Sequence, residues 1–138
     1  MTNEWIITKD YRNNAAYVRV QGAIIHPMTL RRAPFSFECK IDTGFTEGLF
    51  YEATLISDAE TVDVHPYPAT LRLGDGTPLA THACIAHIEK INGYDLPPPG
   101  IQVQLYMCGR RRGYIGMEAL KSCAVLFDGP NQKVKIKI

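Results

Sequence analysis

Apolar and polar residues alternate along much of the chain, and this alternation restricts the fold more than any other feature of the sequence. In the stretch PFSFECKID, residues 34–42, the side chains of Phe35, Phe37, Cys39 and Ile41 alternate with polar ones. A period of two places these four on one face of a β-strand. The same period recurs in residues 15–25, 100–108 and 133–138. The sequence therefore predicts an all-β fold.

Two hairpins are predicted between such runs. The Asp-Gly step within Gly74–Gly76 separates two strand-like runs in residues 69–91, and Asp-Gly between apolar alternating runs is a strong hairpin signal. The last residues, 124–138, form a second predicted hairpin around the turn sequence GPNQ.

Helical signals are weaker and local. Residues 117–123 are predicted to form one short helix, because Glu118 comes early in this segment and Lys121 late, as the helix dipole favours. Residues 50–59 are a weaker helix candidate.

Composition narrows the class of protein. The chain has 138 residues, the size of one ordinary domain, and no linker or repeat divides it, so we predict a single domain over residues 1–138. Its 15 Lys and Arg balance 14 Asp and Glu, for a net charge of +1. This balance argues against a nucleic-acid-binding module, which normally has a strong basic excess, and gives no attraction to an anionic membrane surface.

The N-terminal residues show no basic segment followed by an apolar core, and no apolar run approaches the roughly 18 residues that a membrane-spanning helix requires. We therefore expect a cytoplasmic location and no membrane partner. The cysteines lie far apart, without a C-x-x-C pair, and are expected to be reduced core thiols: Cys39, Cys84, Cys108 and Cys123.

The triplet Asp42-Thr43-Gly44 interrupts the alternation at the end of the 34–42 run. Gly44 permits a turn that other residues resist, and Thr43 offers a hydroxyl that can hold the backbone or a neighbouring chain. Asp42 then projects from the end of a strand, where a well-ordered carboxylate suits general acid–base chemistry. A plain strand-to-loop turn, in which these three residues are common, accounts for the triplet alone equally well.

The surroundings of the triplet resemble a known family, the retroviral-type single-lobed aspartic proteases and their bacterial relatives. An apolar strand leads into IDTGFT, residues 41–46, and LRLGDGTPL, residues 71–79, follows at the place of a glycine-containing hairpin. YIGMEAL, residues 114–120, is similar to the family's apolar-apolar-Gly step and short helix, and residues 124–136 are similar to its closing hairpin. The four motifs keep their order over about residues 15–138.

The resemblance implies an all-β, retropepsin-like closed barrel with one short helix near the C-terminus. It implies an aspartic endopeptidase in which Asp42 is the catalytic carboxylate that activates a water. One lobe supplies one aspartate, so the family's mechanism requires a homodimer with the site on the two-fold axis, a polypeptide substrate and no cofactor or metal.

Further roles follow from the same resemblance. Thr43 is expected to hydrogen-bond across the axis, and the Gly44 amide to approach the carboxylate. Gly116, after Ile115, is expected to pack beneath the turn. The residues expected to contact substrate are Phe45 and Thr46 beside the turn and Gly74, Asp75 and Gly76 in a hairpin that covers the peptide. Phe45 departs from the family, which usually has Ala or Ser there, whereas Thr46 keeps a small hydroxyl side chain.

Three other functions are open alternatives. The lobe could be a non-catalytic module that binds extended peptides or dimerises, and Phe45 is the feature that most favours it. Residues 110–112 are three arginines, expected to be a solvated turn, with an acidic-peptide, phosphate or nucleic-acid patch as the alternative. His82, Cys84 and His87 suggest a metal site, but His87 falls on the opposite strand face from the other two.

Overall fold

The structure, a computed structural model, describes residues 5–8, 11–12, 15–52, 67–72, 75–108 and 113–138. Within these ranges most of the chain is strand. The strands are β1 Trp5–Thr8, β2 Tyr11–Arg12, β3 Ala15–Ile25, β4 Arg32–Ile41, β5 Leu49–Glu52, β6 Tyr67–Arg72, β7 Pro78–Ile91, β8 Tyr94–Asp95, β9 Ile101–Cys108, β10 Tyr114–Ile115, β11 Ala124–Asp128 and β12 Lys133–Lys137, and the helix α1 is Met117–Leu120.

Six strands close into a barrel. They are hydrogen-bonded in the order β3-β4-β10-β5-β9-β7, and β7 pairs again with β3 to complete the ring. Strand β6 extends this sheet beyond β7, while β2 pairs with β3 and β8 with β7. A separate three-stranded sheet has the order β1-β12-β11. The predicted all-β fold and its closed barrel are confirmed.

The barrel closes where β3 and β7 cross at close range. The register between them shifts at Gln21 and Gly22. A Cβ atom on Gly22 would collide with the backbone carbonyl of His87. The seam therefore depends on a residue without a side chain at this point.

One apolar core fills the barrel. The predicted inward face of β4 is confirmed, since Phe35, Phe37, Cys39 and Ile41 are all buried. Opposite them, Val18 and Val20 of β3 are fully buried. Each large apolar side chain buried in this way contributes about 1.5–3 kcal/mol through removal of apolar surface from water.

The C-terminal hairpin is confirmed as β11 and β12. Val134 and Ile136 of β12 are buried against the barrel core, while the alternate lysines are partly exposed. The Lys137 ammonium lies 5.9 Å from the centre of the Trp5 ring, within cation–π range.

The two helix predictions had different outcomes. The helix predicted for residues 117–123 is confirmed but shorter, as α1 ends at Leu120. The helix predicted for residues 50–59 is wrong at its start, because residues 50–52 belong to β5, where Leu49 and Phe50 are buried and pair with β9 and β10. Residues 53–59 lie outside the described residues. No helix in the described ranges has the length and apolar character to cross a membrane.

Candidate active site at the Asp42 turn

The short strand β10 determines where the Asp42 turn lies. It is inserted between β4 and β5, two strands that are consecutive in the chain, with Tyr114 opposite Lys40 in a parallel pair and opposite Phe50 in an antiparallel pair. The loop from β4 to β5, residues 42–48, therefore has to pass around the end of β10. This loop is called the Asp42 loop below.

Backbone hydrogen bonds hold Asp42 in one orientation. Its N–H donates to the Ile115 carbonyl at 3.0 Å, and its own carbonyl accepts from the Phe45 N–H at 3.1 Å. The Gly44 N–H donates to the carboxylate oxygen Asp42 Oδ1 at 3.0 Å. Asp42 is half-buried. The carboxylate is thus fixed at the rigid end of a barrel strand, and a backbone amide holds one of its oxygens.

Gly116 packs beneath the Asp42 loop. Its N–H donates to the Gly48 carbonyl at 2.8 Å, and the next residue, Met117, donates to the Phe45 carbonyl at 2.8 Å. A Cβ on Gly116 would collide with the carbonyl oxygens of Phe45 and Glu47 and would lie 2.6 Å from the Phe45 ring. The loop and the start of α1 can meet this closely only because residue 116 has no side chain.

The outer surface of the loop is open. Thr43, Gly44 and Thr46 are exposed. The hydrogen bond expected from Thr43 across a two-fold axis stays a prediction, as does substrate contact by Thr46.

Phe45 packs into a group of aromatic side chains on the outside of the barrel. Its ring meets Phe50 edge-on, with centroids 6.4 Å apart, and Phe50 lies 5.8 Å from Tyr114. Tyr106 belongs to the same cluster. These four residues, Phe45, Phe50, Tyr106 and Tyr114, are called the aromatic wall below.

The β6–β7 hairpin borders the aromatic wall. Its residues Ala69, Leu71 and Leu79 pack against the same cluster as Phe45 of the Asp42 loop, so the strands of the predicted covering hairpin lie beside the wall.

At the tip of this hairpin, Gly74 lies outside the described residues. Asp75 accepts a hydrogen bond from the Thr77 N–H at 2.9 Å, and hydrogen bonds from Thr77 hold the pKa of its carboxyl below the ordinary value. Gly76 has a φ of +86°, which favours glycine. Asp75 and Gly76 thus form a defined turn, and contact with substrate stays a prediction for both.

Sequence reasoning did not single out a polar network beside the wall. The Tyr106 hydroxyl lies 3.1 Å from Glu47 Oε2 and 2.9 Å from Gln104 Oε1, and the Tyr67 hydroxyl lies 3.0 Å from the same Gln104 oxygen. Burial, and then the nearby Glu47 charge, raise the pKa of Tyr106 to about 12. No sequence signal links these residues, because they come from three separate segments of the chain.

Three of the four cysteines, Cys39, Cys84 and Cys123, have no feature of a nucleophilic site. Burial raises the pKa of the Cys39 and Cys123 thiols, and that of Cys84 to about 12. They are therefore protonated near neutral pH, whereas a nucleophilic cysteine reacts as the thiolate.

The residues of the suggested metal site lie along β7. His82 is exposed, Cys84 is buried, and His87 Nε2 lies 3.3 Å from Gln102 Oε1. Within the part of the chain that the structure describes, no group of three or more His, Cys, Asp or Glu side chains could hold a metal ion.

Comparisons of the chain with protein-family models, with curated proteins and with solved structures found no match. The assignment of a function therefore depends on the geometry of the Asp42 loop and its surroundings.

Proposed function

We propose that the protein is an aspartic endopeptidase that acts as a homodimer, with one Asp42 from each subunit. The observation that supports this most is the double support of the Asp42 loop. The Gly44 amide orients the carboxylate, and Gly116 packs closely against the backbone behind it. Such a rigid, half-open carboxylate is what proton transfer to and from a substrate requires.

The dimer follows from the chemistry. The sequence contains a single Asp-Thr-Gly, whereas hydrolysis of this class uses two carboxyl groups that share one proton. Two carboxyl groups at such short range are not both ionised, because their negative charges repel each other, and they titrate as a pair. A second copy of the chain supplies the second carboxyl, and the exposed Thr43 and Gly44 leave the loop open to it.

Each carboxyl then has one part in peptide hydrolysis. The ionised Asp42 takes a proton from a bound water as the water oxygen attacks the peptide carbonyl carbon. The protonated Asp42 of the other subunit gives its proton to the carbonyl oxygen. Collapse of the tetrahedral intermediate breaks the C–N bond. The carboxyl that took the water's proton gives it to the leaving amine nitrogen, and one hydroxyl of the intermediate gives its proton to the other carboxylate, so that the pair again shares one proton.

The aromatic wall and the β6–β7 hairpin form the binding surface in this proposal. An extended peptide is accommodated by pairing with a strand edge, while some of its side chains contact the partly exposed rings of Phe45 and Tyr114. Strand β6 is the last strand of its sheet within the described residues, so one of its edges is available for such pairing.

The proposal is tested with purified protein and an unfolded polypeptide at acidic to neutral pH. We expect cleavage by the wild type and a fall of about three orders of magnitude or more for Asp42→Asn, with the dimer intact by light scattering. Asp95→Asn is the matched control, because Asp95 is an exposed strand residue paired only with Lys90 at 3.6 Å among the described residues. Full activity of Asp42→Asn would remove this residue from the mechanism.

A non-catalytic peptide-binding module is the second candidate. The observation that favours it is that the aromatic wall and the hairpin residues form one cluster. Binding of a peptide to this surface does not require a second aspartate. A strictly monomeric protein that binds extended peptides without cleaving them would establish this alternative.

Two further expectations from the sequence stay predictions. They are the cytoplasmic location and the role of the three arginines at 110–112, which lie outside the described residues.

A further inference from the structure

Glu47 is a half-buried carboxylate at the edge of the aromatic wall. It lies on the Asp42 loop, and its carbonyl accepts a hydrogen bond from the Glu118 N–H at 3.2 Å, which fixes the backbone. Its side chain reaches the Tyr106 hydroxyl, 3.1 Å from Oε2. Among the residues that the structure describes, no Lys, Arg or His forms an ion pair with it. A partly desolvated carboxylate without a cation is suited to receive one from a ligand.

Only one oxygen of the Glu47 carboxylate belongs to the hydrogen-bond network around Tyr106. The Tyr106 hydroxyl has one proton but two neighbouring acceptors, Glu47 Oε2 and Gln104 Oε1. The Tyr67 hydroxyl donates to the same Gln104 oxygen at 3.0 Å. Glu47 Oε1 takes no part in this network and is left to face a ligand.

We propose that Glu47 is a specificity residue, which binds the cationic group of a Lys or Arg side chain in an extended peptide. This inference deepens the proposed function and rests on its assignment of the aromatic wall as the peptide-binding surface. Two features select a basic side chain over a small amine. The partly exposed rings of Phe45 and Tyr114 can contact an aliphatic stem or a guanidinium group, and the Glu47 carboxylate lies at the edge of the wall to take the charge.

Tyr106 and Gln104 are positioning residues in this account. Tyr106 holds one oxygen of Glu47 and so orients the other, while Gln104 accepts hydrogen bonds from the Tyr106 and Tyr67 hydroxyls and so connects this group to the start of β6. The network thus links the Asp42 loop to the hairpin that borders the wall.

The test measures binding, so that it does not depend on catalysis. Otherwise identical peptides carry lysine or its uncharged analogue norleucine at each position in turn, and their Kd values for the Asp42→Asn protein are measured by calorimetry. We expect lysine to bind about tenfold tighter than norleucine at one or two neighbouring positions, and this preference to fall as salt is raised.

Substitutions at Glu47 then identify the acceptor. In the same background, Glu47→Gln is expected to abolish the lysine preference, and Glu47→Lys to reverse it in favour of peptides with glutamate. The matched control is Glu89→Gln, which removes the same charge beside Arg32, at the far end of β4 from Asp42. This control is expected to keep the preference, and Tyr106→Phe to reduce it without reversing it.

The outcomes separate the two proposals. A lysine preference that survives in Glu47→Gln overturns the role of Glu47. The same conclusion follows if no position shows a lysine preference, or if the protein binds none of the peptides. A lysine preference that depends on Glu47, in a wild-type protein that cleaves no peptide, supports this inference and contradicts the endopeptidase.

Discussion

The backbone around Gly116 leaves no room for a side chain, so substitution of this residue tests directly how the Asp42 loop packs. We expect Gly116→Ala to lower the free energy of unfolding by about 2 kcal/mol, because its Cβ would push against two backbone carbonyls of the Asp42 loop. Gly129→Ala is the control, since a Cβ there meets nothing within 4 Å. Urea denaturation of both variants measures the difference. Equal stabilities would show that the loop does not pack on residue 116 as described.

Tyr106 provides a test that depends on pH. Its pKa of about 12 lies above the ordinary value of 10.0, so the unfolded chain releases this proton at lower pH than the folded one. The stability due to the neutral phenol is complete below pH 10 and falls as pH rises towards 12. We expect this loss to be smaller in Tyr106→Phe, measured by denaturation at several pH values.

The control for this titration is Tyr94→Phe, because Tyr94 is about half exposed. It is expected to retain the wild-type loss of stability in the same pH range. If Tyr106→Phe also retained it in full, the phenol would not be held in the buried setting described.

Residues of the candidate site differed in how far the sequence could predict them. Asp42, Thr43 and Gly44 are adjacent in the chain, so a local pattern was enough to select them. Glu47, Gln104, Tyr106 and Tyr67 come together only through the pairing of β5, β9, β7 and β6. A network assembled by strand pairing leaves no local pattern to find.

Among the elements, the crossing of β3 and β7 gives the sharpest prediction. Gly22→Ala is expected to destabilise the fold by about 3 kcal/mol, because its Cβ would meet the backbone of His87, which cannot rotate away as a side chain can. Thermal unfolding against Gly129→Ala measures the effect. A variant as stable as this control would mean that the barrel is not closed at this seam.

The sequence predicted strands correctly where one face of the strand is buried and the other is exposed. Strand β3 has the predicted bounds, 15–25, and β4 has the predicted inward face. In β5, consecutive residues Leu49 and Phe50 are both buried, so no alternation marks the strand. Strand β10 has only two residues and is too short to carry any period.

For the whole molecule, the proposed shared site predicts that an Asp42→Asn subunit inactivates the wild-type subunit with which it pairs. Wild type mixed with an about threefold excess of Asp42→Asn, and allowed to exchange subunits, is expected to keep about one quarter of its activity per wild-type subunit. Random pairing leaves about one wild-type subunit in four with a wild-type partner. Peptide cleavage measured before and after exchange checks this.

An excess of Asp95→Asn serves as the control and should not lower the activity. Undiminished cleavage after exchange with Asp42→Asn would mean that each chain works alone, and the shared catalytic pair would have to be abandoned.

The position of β10 also bears on the timing of synthesis. The Asp42 loop leaves β4 early in the chain, but the strand and the glycine that hold it in place are Tyr114–Ile115 and Gly116. A ribosome must therefore extend the chain from residue 42 to residue 116 before this loop can rest on its supports. Until then the nascent polypeptide has the aspartate but not the strand and glycine that hold it in one orientation.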